Sequence, residues 1–152
     1  MTGAAARPGD RANPHPGGPH PGGRLPVVIL ISGRGSNMQA IAERAARSEL
    51  PIEVRAVVSD RPAAAGLATA AAMKIPVASL SPSDFADRAS YDTALAQLVA
   101  SYEPGLVVLA GFMRILTPGF IDRFADRILN IHPSLLPKYR GLHLYGDRKS
   151  VV

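Results

Sequence analysis

The chain has no cysteine, and aromatic residues make up only 5% of its 152 positions. Without cysteine neither a disulfide framework nor a thiolate metal site can form, and an intracellular setting is the simplest expectation. Long apolar runs are absent as well: none approaches the roughly 20 residues of a membrane span. The amino terminus lacks a charged region followed by an apolar stretch, so no secretory signal is read and cytoplasm is the expected location. Charge of one sign is also scarce where it would matter. Of the formal +5, residues 1–24 hold +2 (Arg7, Arg11 and Arg24 against Asp10) and residues 144–152 hold +1 (Arg148 and Lys149 against Asp147), leaving +2 for the body. That is too little for a duplex-binding footprint, and no basic helix or aromatic stacking cluster adds to it, so no nucleic-acid partner is expected. An anionic small molecule remains compatible.

A hydrophobic content of 47% suits one globular domain or part of a larger one. Residues 1–24 stand apart: they are rich in Gly, Pro, Ala and His, and His15-Pro16-Gly17-Gly18 recurs as His20-Pro21-Gly22-Gly23. Such a segment cannot bury enough apolar surface to order itself. Its histidines could hold a metal loosely, but a disordered extension is the expectation, and residues 1–24 are set outside the fold.

From Leu25 onward, short apolar runs alternate with helical periodicity. Val27-Val28-Ile29-Leu30-Ile31 reads as a buried strand, and Met38, Ile41, Ala42 and Ala45 recur at helical spacing. Residues 54–58 predict a strand, 63–73 an alanine-rich helix, 76–78 a short strand and 91–101 a helix. Leu106-Val107-Val108-Leu109-Ala110 is a second continuously apolar strand, of the kind buried on both faces of a parallel sheet. A short helix over 120–124 and a strand over 128–131 complete the pattern. The alternation predicts an α/β fold with an open, mainly parallel sheet. Ligands of such sheets sit at the carboxyl ends of the strands, where three polar segments fall: residues 32–37, 111–116 and 130–140.

Ser32-Gly33-Arg34-Gly35-Ser36-Asn37 joins the first strand to the first helix. Its two glycines permit a tight turn and close approach, and the backbone N–H groups of a helix start suit a phosphate. Ser36 or Asn37 could instead cap the helix. The third glycine of a dinucleotide fingerprint is missing and no Gly-Lys-Ser/Thr comes after it, which disfavours both NAD and a Walker nucleotide. Gly111-Phe112-Met113-Arg114-Ile115-Leu116 fits a flat, partly anionic heteroaromatic ligand, or equally a loop that packs its own Phe and Met into the core. Arg88, beside Asp84 and Asp87 and just before the helix that opens near Tyr91, reads on its own as a solvated arginine.

Asn130 and His132 are two residues apart, so on an extended backbone they leave the same face, and Pro133 and Pro137 stiffen the chain beyond them. An amide donor and an acid/base group could converge there on one reacting atom; the alternative is a strand end with a satisfied core histidine. No carboxylate stands in the histidine's own loop, and Asp122 and Asp126 in the preceding crossover are expected to face solvent.

Together LISGRGSNMQAI, VVLAGFMRILTPGF and LNIHPSLLPKYRGLH resemble the phosphoribosylglycinamide formyltransferase family, in order and at the family's spacing over residues 25–143. The resemblance implies a Rossmann-like sheet of the formyltransferase type. It also implies transfer of a formyl group from 10-formyltetrahydrofolate to the amine of glycinamide ribonucleotide in purine biosynthesis, with no metal. By the same resemblance Gly35, Ser36 and Asn37 match the ribonucleotide-phosphate loop, and Arg88, Met113, Arg114, Ile115 and Leu116 match folate contacts. Asn130 matches a residue touching the formyl group, and His132 the catalytic histidine. The implied partners are small molecules; association into oligomers stays open.

The Asn-x-His-x-Ser-x-Leu-Pro element is shared with methionyl-tRNA formyltransferase and formyltetrahydrofolate deformylase, which are the alternatives together with a non-catalytic ligand-binding fragment. The family pattern continues past Gly141-Leu142-His143 through an acidic loop whose aspartate partners the histidine. Here the resemblance ends at His143, so no residue is assigned that role, Asp147 included. Residues 144–152 resemble nothing in the family. Asp147-Arg148-Lys149-Ser150-Val151-Val152 is what GAT CGG AAG AGC GTC GTG would encode, a common sequencing-adapter run, so an adapter-derived terminus is expected, the alternative being a real frameshift or divergent terminus. A sheet ending at its Asn130 strand would leave an apolar edge and an incomplete carboxyl-terminal side, and the expectation is a chain that folds poorly or aggregates.

Overall fold

The computed structural model describes residues 23–131 and 142–144. Residues 1–22 of the expected 1–24 extension, the Pro-rich loop with His132 and the tail beyond 144 lie outside the described residues. Strand and helix alternate as the apolar pattern predicts: β1 (Leu25–Ile31), α1 (Ser36–Ala46), β2 (Ile52–Ser59), α2 (Ala65–Ala72), β3 (Val77–Ser79), α3 (Arg88–Ala100), β4 (Leu106–Ala110), α4 (Pro118–Arg123), β5 (Ile128–Ile131) and β6 (Leu142–Leu144).

The sheet runs β3-β2-β1-β4-β5-β6. The first four pairings are parallel and only β5–β6 is antiparallel. Alternate residues of the central strands feed two separate cores. Val28, Leu30, Val107 and Leu109 pack with Tyr91, Leu95, Val99, Phe120 and Phe124 of α3 and the α4 region. Val27, Ile29, Ile31, Val108 and Ala110 pack with Met38 and Ala42 of α1 and Ala70 of α2. A strand covered on both faces has no polar side to present, which is why β1 and β4 read as unbroken apolar runs.

Helix starts differ from the sequence expectations. The third helix begins at Arg88, three residues earlier than its periodicity indicates, because Asp87 accepts a hydrogen bond from the Ser90 N–H at 2.7 Å and caps the helix there. The fourth begins at Pro118, whose fixed φ and missing N–H suit a first helical position, and ends at Arg123. One expectation is overturned: the sheet does not stop at the Asn130 strand. Leu142–Leu144 pairs antiparallel with β5, setting His143 opposite Asn130 in the ladder.

Candidate active site

β1 and β4 are neighbours, yet the chain leaves β1 toward β2 on one side and β4 toward β5 on the other. This reversal opens a crevice beyond the carboxyl ends of both strands. The loop leaving β1 turns through Gly35, which has φ 71° and ψ 36° at the N-cap of α1, a conformation costly for any residue with a Cβ. A Cβ there would stand 3.0 Å from Met38 Cε and 3.3 Å from the Gly66 Cα. Gly66, in the first turn of α2, is equally constrained: its Cβ would meet Ile31 Cδ1 at 2.5 Å and the Arg34 carbonyl oxygen at 2.8 Å. In return the Gly66 N–H donates to the Gly33 carbonyl at 3.0 Å. A side-chain-free patch of α2 thus lets the glycine loop lie against it. No side chain caps α1, so Ser36 and Asn37 are not cap acceptors, and the positive end of the helix dipole stands at the loop.

The loop leaving β4 starts at Gly111, φ 80°, and divides its apolar residues. Phe112 packs partly against the core and Leu116 is buried, while Met113 and Ile115 are each 75% exposed. The alternative of a loop folding both its Phe and its Met into the core therefore holds for Phe112 only. Between them Arg114 lays its guanidinium carbon 4.7 Å from the Tyr91 ring centroid, a cation–π arrangement. The Met113 N–H donates to Ser32 Oγ at 2.8 Å, and the Thr117 N–H to Asp92 Oδ2 at 2.6 Å.

Gly33, Arg34, Gly35, Ser36 and Asn37 face Ala110, Gly111 and Met113 across a cleft of about 200 Å³. A larger, shallower hollow of about 370 Å³ lies on the outer face of α3, lined by Ala89, Ser90, Thr93, Ala94 and Gln97. Those residues belong to one helix, whereas the smaller cleft joins two strand-end loops and a helix start, which makes it the candidate site. Of the site residues expected from sequence, the cleft gathers Gly35, Ser36, Asn37 and Met113. Arg114, Ile115 and Leu116 continue the same loop but do not wall it. Arg88 is exposed at the start of α3. Asn130 is half-buried on β5, level with Leu109 of β4. His132 lies outside the described residues. Asp122 and Asp126 are exposed, as expected.

Sequence reading missed a buried polar group behind the second loop. Asp60 Oδ1, Asp92 Oδ1 and Arg114 Nε are buried without a hydrogen-bond partner among the described residues. Tyr91 donates its hydroxyl to the Leu80 carbonyl at 2.8 Å. Burial pushes the Tyr91 phenol above its ordinary range; Asp60 adds to this, Arg114 pulls the other way, and Asp92 adds again. Among the described residues no three His, Asp or Glu side chains are grouped to hold a metal ion, and no helix is long and apolar enough to cross a membrane.

A mainly parallel sheet with this switch point, and a glycine loop opening on a helix start beside it, define a protein of the doubly wound α/β class. The chain belongs to the formyl transferase family, which it matches over residues 25–147. Within that family it is 49% identical over 119 residues to phosphoribosylglycinamide formyltransferase of Escherichia coli, covering 78% of this chain and 56% of that protein. It is 43% identical over 123 residues to the trifunctional purine biosynthetic protein adenosine-3 of Drosophila melanogaster, covering 80% of this chain and 9% of that protein. The solved phosphoribosylglycinamide formyltransferase of Coxiella burnetii superposes with a TM-score of 0.70 at 46% identity, over 76% of this chain and 55% of that one. The chain thus spans little more than half the length of the single-function relatives it matches.

Proposed function

We propose that this chain carries the phosphate loop and the folate-facing segment of a phosphoribosylglycinamide formyltransferase, which moves a formyl group from 10-formyltetrahydrofolate to the amine of glycinamide ribonucleotide. The observation that supports this reading best is the cleft at the β1/β4 switch point, where the Gly33–Asn37 turn and Met113 stand on opposite walls. The phosphate of the ribonucleotide fits the uncapped start of α1, where N–H groups and the helix dipole favour an anion. Met113 and Ile115 offer the apolar surface that a flat pteridine requires. Similarity to the trifunctional purine biosynthetic protein supports a role in purine synthesis.

In this reaction the amine nitrogen attacks the formyl carbon, and the carbonyl oxygen gathers negative charge in the tetrahedral species. The bond from carbon to the folate nitrogen then breaks, and the proton lost by the amine ends on that nitrogen. Donors aimed at the oxygen stabilise the transition state, on the order of 3 kcal/mol for one good donor. Asn130 and a protonated His132 are the proposed donors, and the imidazole is the proposed proton carrier. Arg88 is the proposed partner of a folate carboxylate. The reading is tested by offering the purified chain radiolabelled 10-formyltetrahydrofolate in single-turnover mode with glycinamide ribonucleotide, methionyl-tRNA or water alone. Label is expected only on the glycinamide amine; label on methionyl-tRNA, or formate released without nucleotide, would overturn it.

A further inference from the structure

The segment over residues 113–117 is fastened at both ends by buried side chains that belong to other elements. Ser32, 2% exposed at the end of β1, accepts from the Met113 N–H; Asp92, 2% exposed on α3, accepts from the Thr117 N–H. Between these two points the side chains alternate: Met113 and Ile115 outward, Arg114 against Tyr91 and Leu116 into the core. Slipping the segment by one residue would exchange the outward pair for the inward one, burying Met113 and Ile115 and exposing Leu116. Loop sequence alone does not forbid that exchange, since Met, Ile and Leu are close in volume and hydrophobicity. The two hydrogen bonds hold the segment against it: a slip breaks both, and one that brought residue 118 to Asp92 would offer Pro118, which has no N–H to replace the Thr117 donor.

Asp92 is costly for this task. Its Oδ1 is buried without a partner among the described residues, so the fold retains a half-satisfied carboxyl in a packed region, where an apolar residue would stabilise the domain more. Ser32 in turn immediately precedes the glycine loop, so one hydroxyl joins the base of that loop to Met113 of the opposite wall. We propose that Ser32 and Asp92 are positioning residues that fix the register of the 113–117 segment, holding Met113 and Ile115 out for the pteridine of a reduced folate. The proposal rests on the functional reading above for its ligand, and on the two hydrogen bonds for its geometry.

The test uses the full chain, with 5-formyltetrahydrofolate as a non-transferring folate probe and inorganic phosphate as the control ligand. Ser32→Ala and Asp92→Ala are each expected to weaken the folate probe about tenfold, the scale of one lost buried hydrogen bond, while phosphate affinity stays within about twofold. Asp92→Asn, which keeps an acceptor oxygen, is expected to restore most of the loss. By amide exchange, Met113 is expected to open in Ser32→Ala and Thr117 in Asp92→Ala, with the reverse pair unchanged. Undiminished folate affinity in both alanine variants would overturn the proposal. So would parallel loss of folate, phosphate and melting midpoint, which marks a purely structural role, or fast Met113 and Thr117 exchange in the unsubstituted chain. An unsubstituted chain that binds no reduced folate, yet keeps both amides slow and releases them one by one in the variants, would fail the functional reading while upholding the register control.

Discussion

At the scale of single residues, two glycines from different elements make one contact. Gly35 and Gly66 touch because neither carries a Cβ. Gly35→Ala must place a methyl in a left-handed conformation against Met38, and a cost of about 1–2 kcal/mol is expected from the backbone alone. Phosphate affinity should fall with it, as calorimetric titration against the unsubstituted chain would show. Gly66→Ala should be worse, since the Arg34 carbonyl it meets is backbone and cannot rotate aside. Tyr91→Phe removes the donor to the half-buried Leu80 carbonyl and should destabilise by about 1 kcal/mol, read as a lower denaturation midpoint with unchanged slope. Of these residues only Gly35 was legible in the sequence, because a glycine between a strand and a helix announces a turn. Ser32 and Asp92 were not: their partners lie 81 and 25 residues away, and no local pattern encodes which backbone N–H a distant side chain will meet.

At the scale of elements, β4 and β5 were legible to the residue, β1 and β2 were read two residues short at their starts, and the start of α3 was read three residues late. β4 begins and ends where its run of five apolar residues does. The first turn of α3, by contrast, consists of exposed Arg88, Ala89 and Ser90, so it adds nothing to a hydrophobic period; a hydrogen bond from Ser90 to Asp87 fixes the start instead. That bond holds the Asp87 carboxyl below the usual carboxylate range, chiefly through the Ser90 backbone N–H. A depressed value means that the cap's contribution is complete above the ordinary aspartate value of about 3.9 and is lost as pH falls through the lower, folded one. The Ser90 amide resonance should therefore titrate with a midpoint below that of an aspartate in an unstructured peptide, and Asp87→Asn should abolish the step while keeping the helix start. In the short α4, Phe120 is buried with its ring centroid 5.0 Å from that of Phe124, the two rings tilted at 48°; Phe120→Ala should destabilise by about 3–5 kcal/mol, measurable by denaturant titration.

At the scale of the whole molecule, the position of the site is set by strand order: parallel neighbours whose crossovers diverge leave their carboxyl ends uncovered. That much was legible from the alternation of strands and helices, whereas the antiparallel β6 was hidden because Leu142-His143-Leu144 is too short to carry a period of its own. A chain ended after residue 141 should bare the outer N–H and C=O groups of β5 and scatter more light at equal concentration than the 152-residue chain.

The ordering of strand lengths across the sheet also bears on behaviour in a crowded solution. The eight- and seven-residue strands β2 and β1 lie inside, and the rim on the β2 side is β3, a strand of three residues. A passing chain that tries to extend the ladder at β3 finds only one or two donors and acceptors to grip before the backbone turns away. Recruitment of further strands is thereby starved at its first step on that side of the sheet.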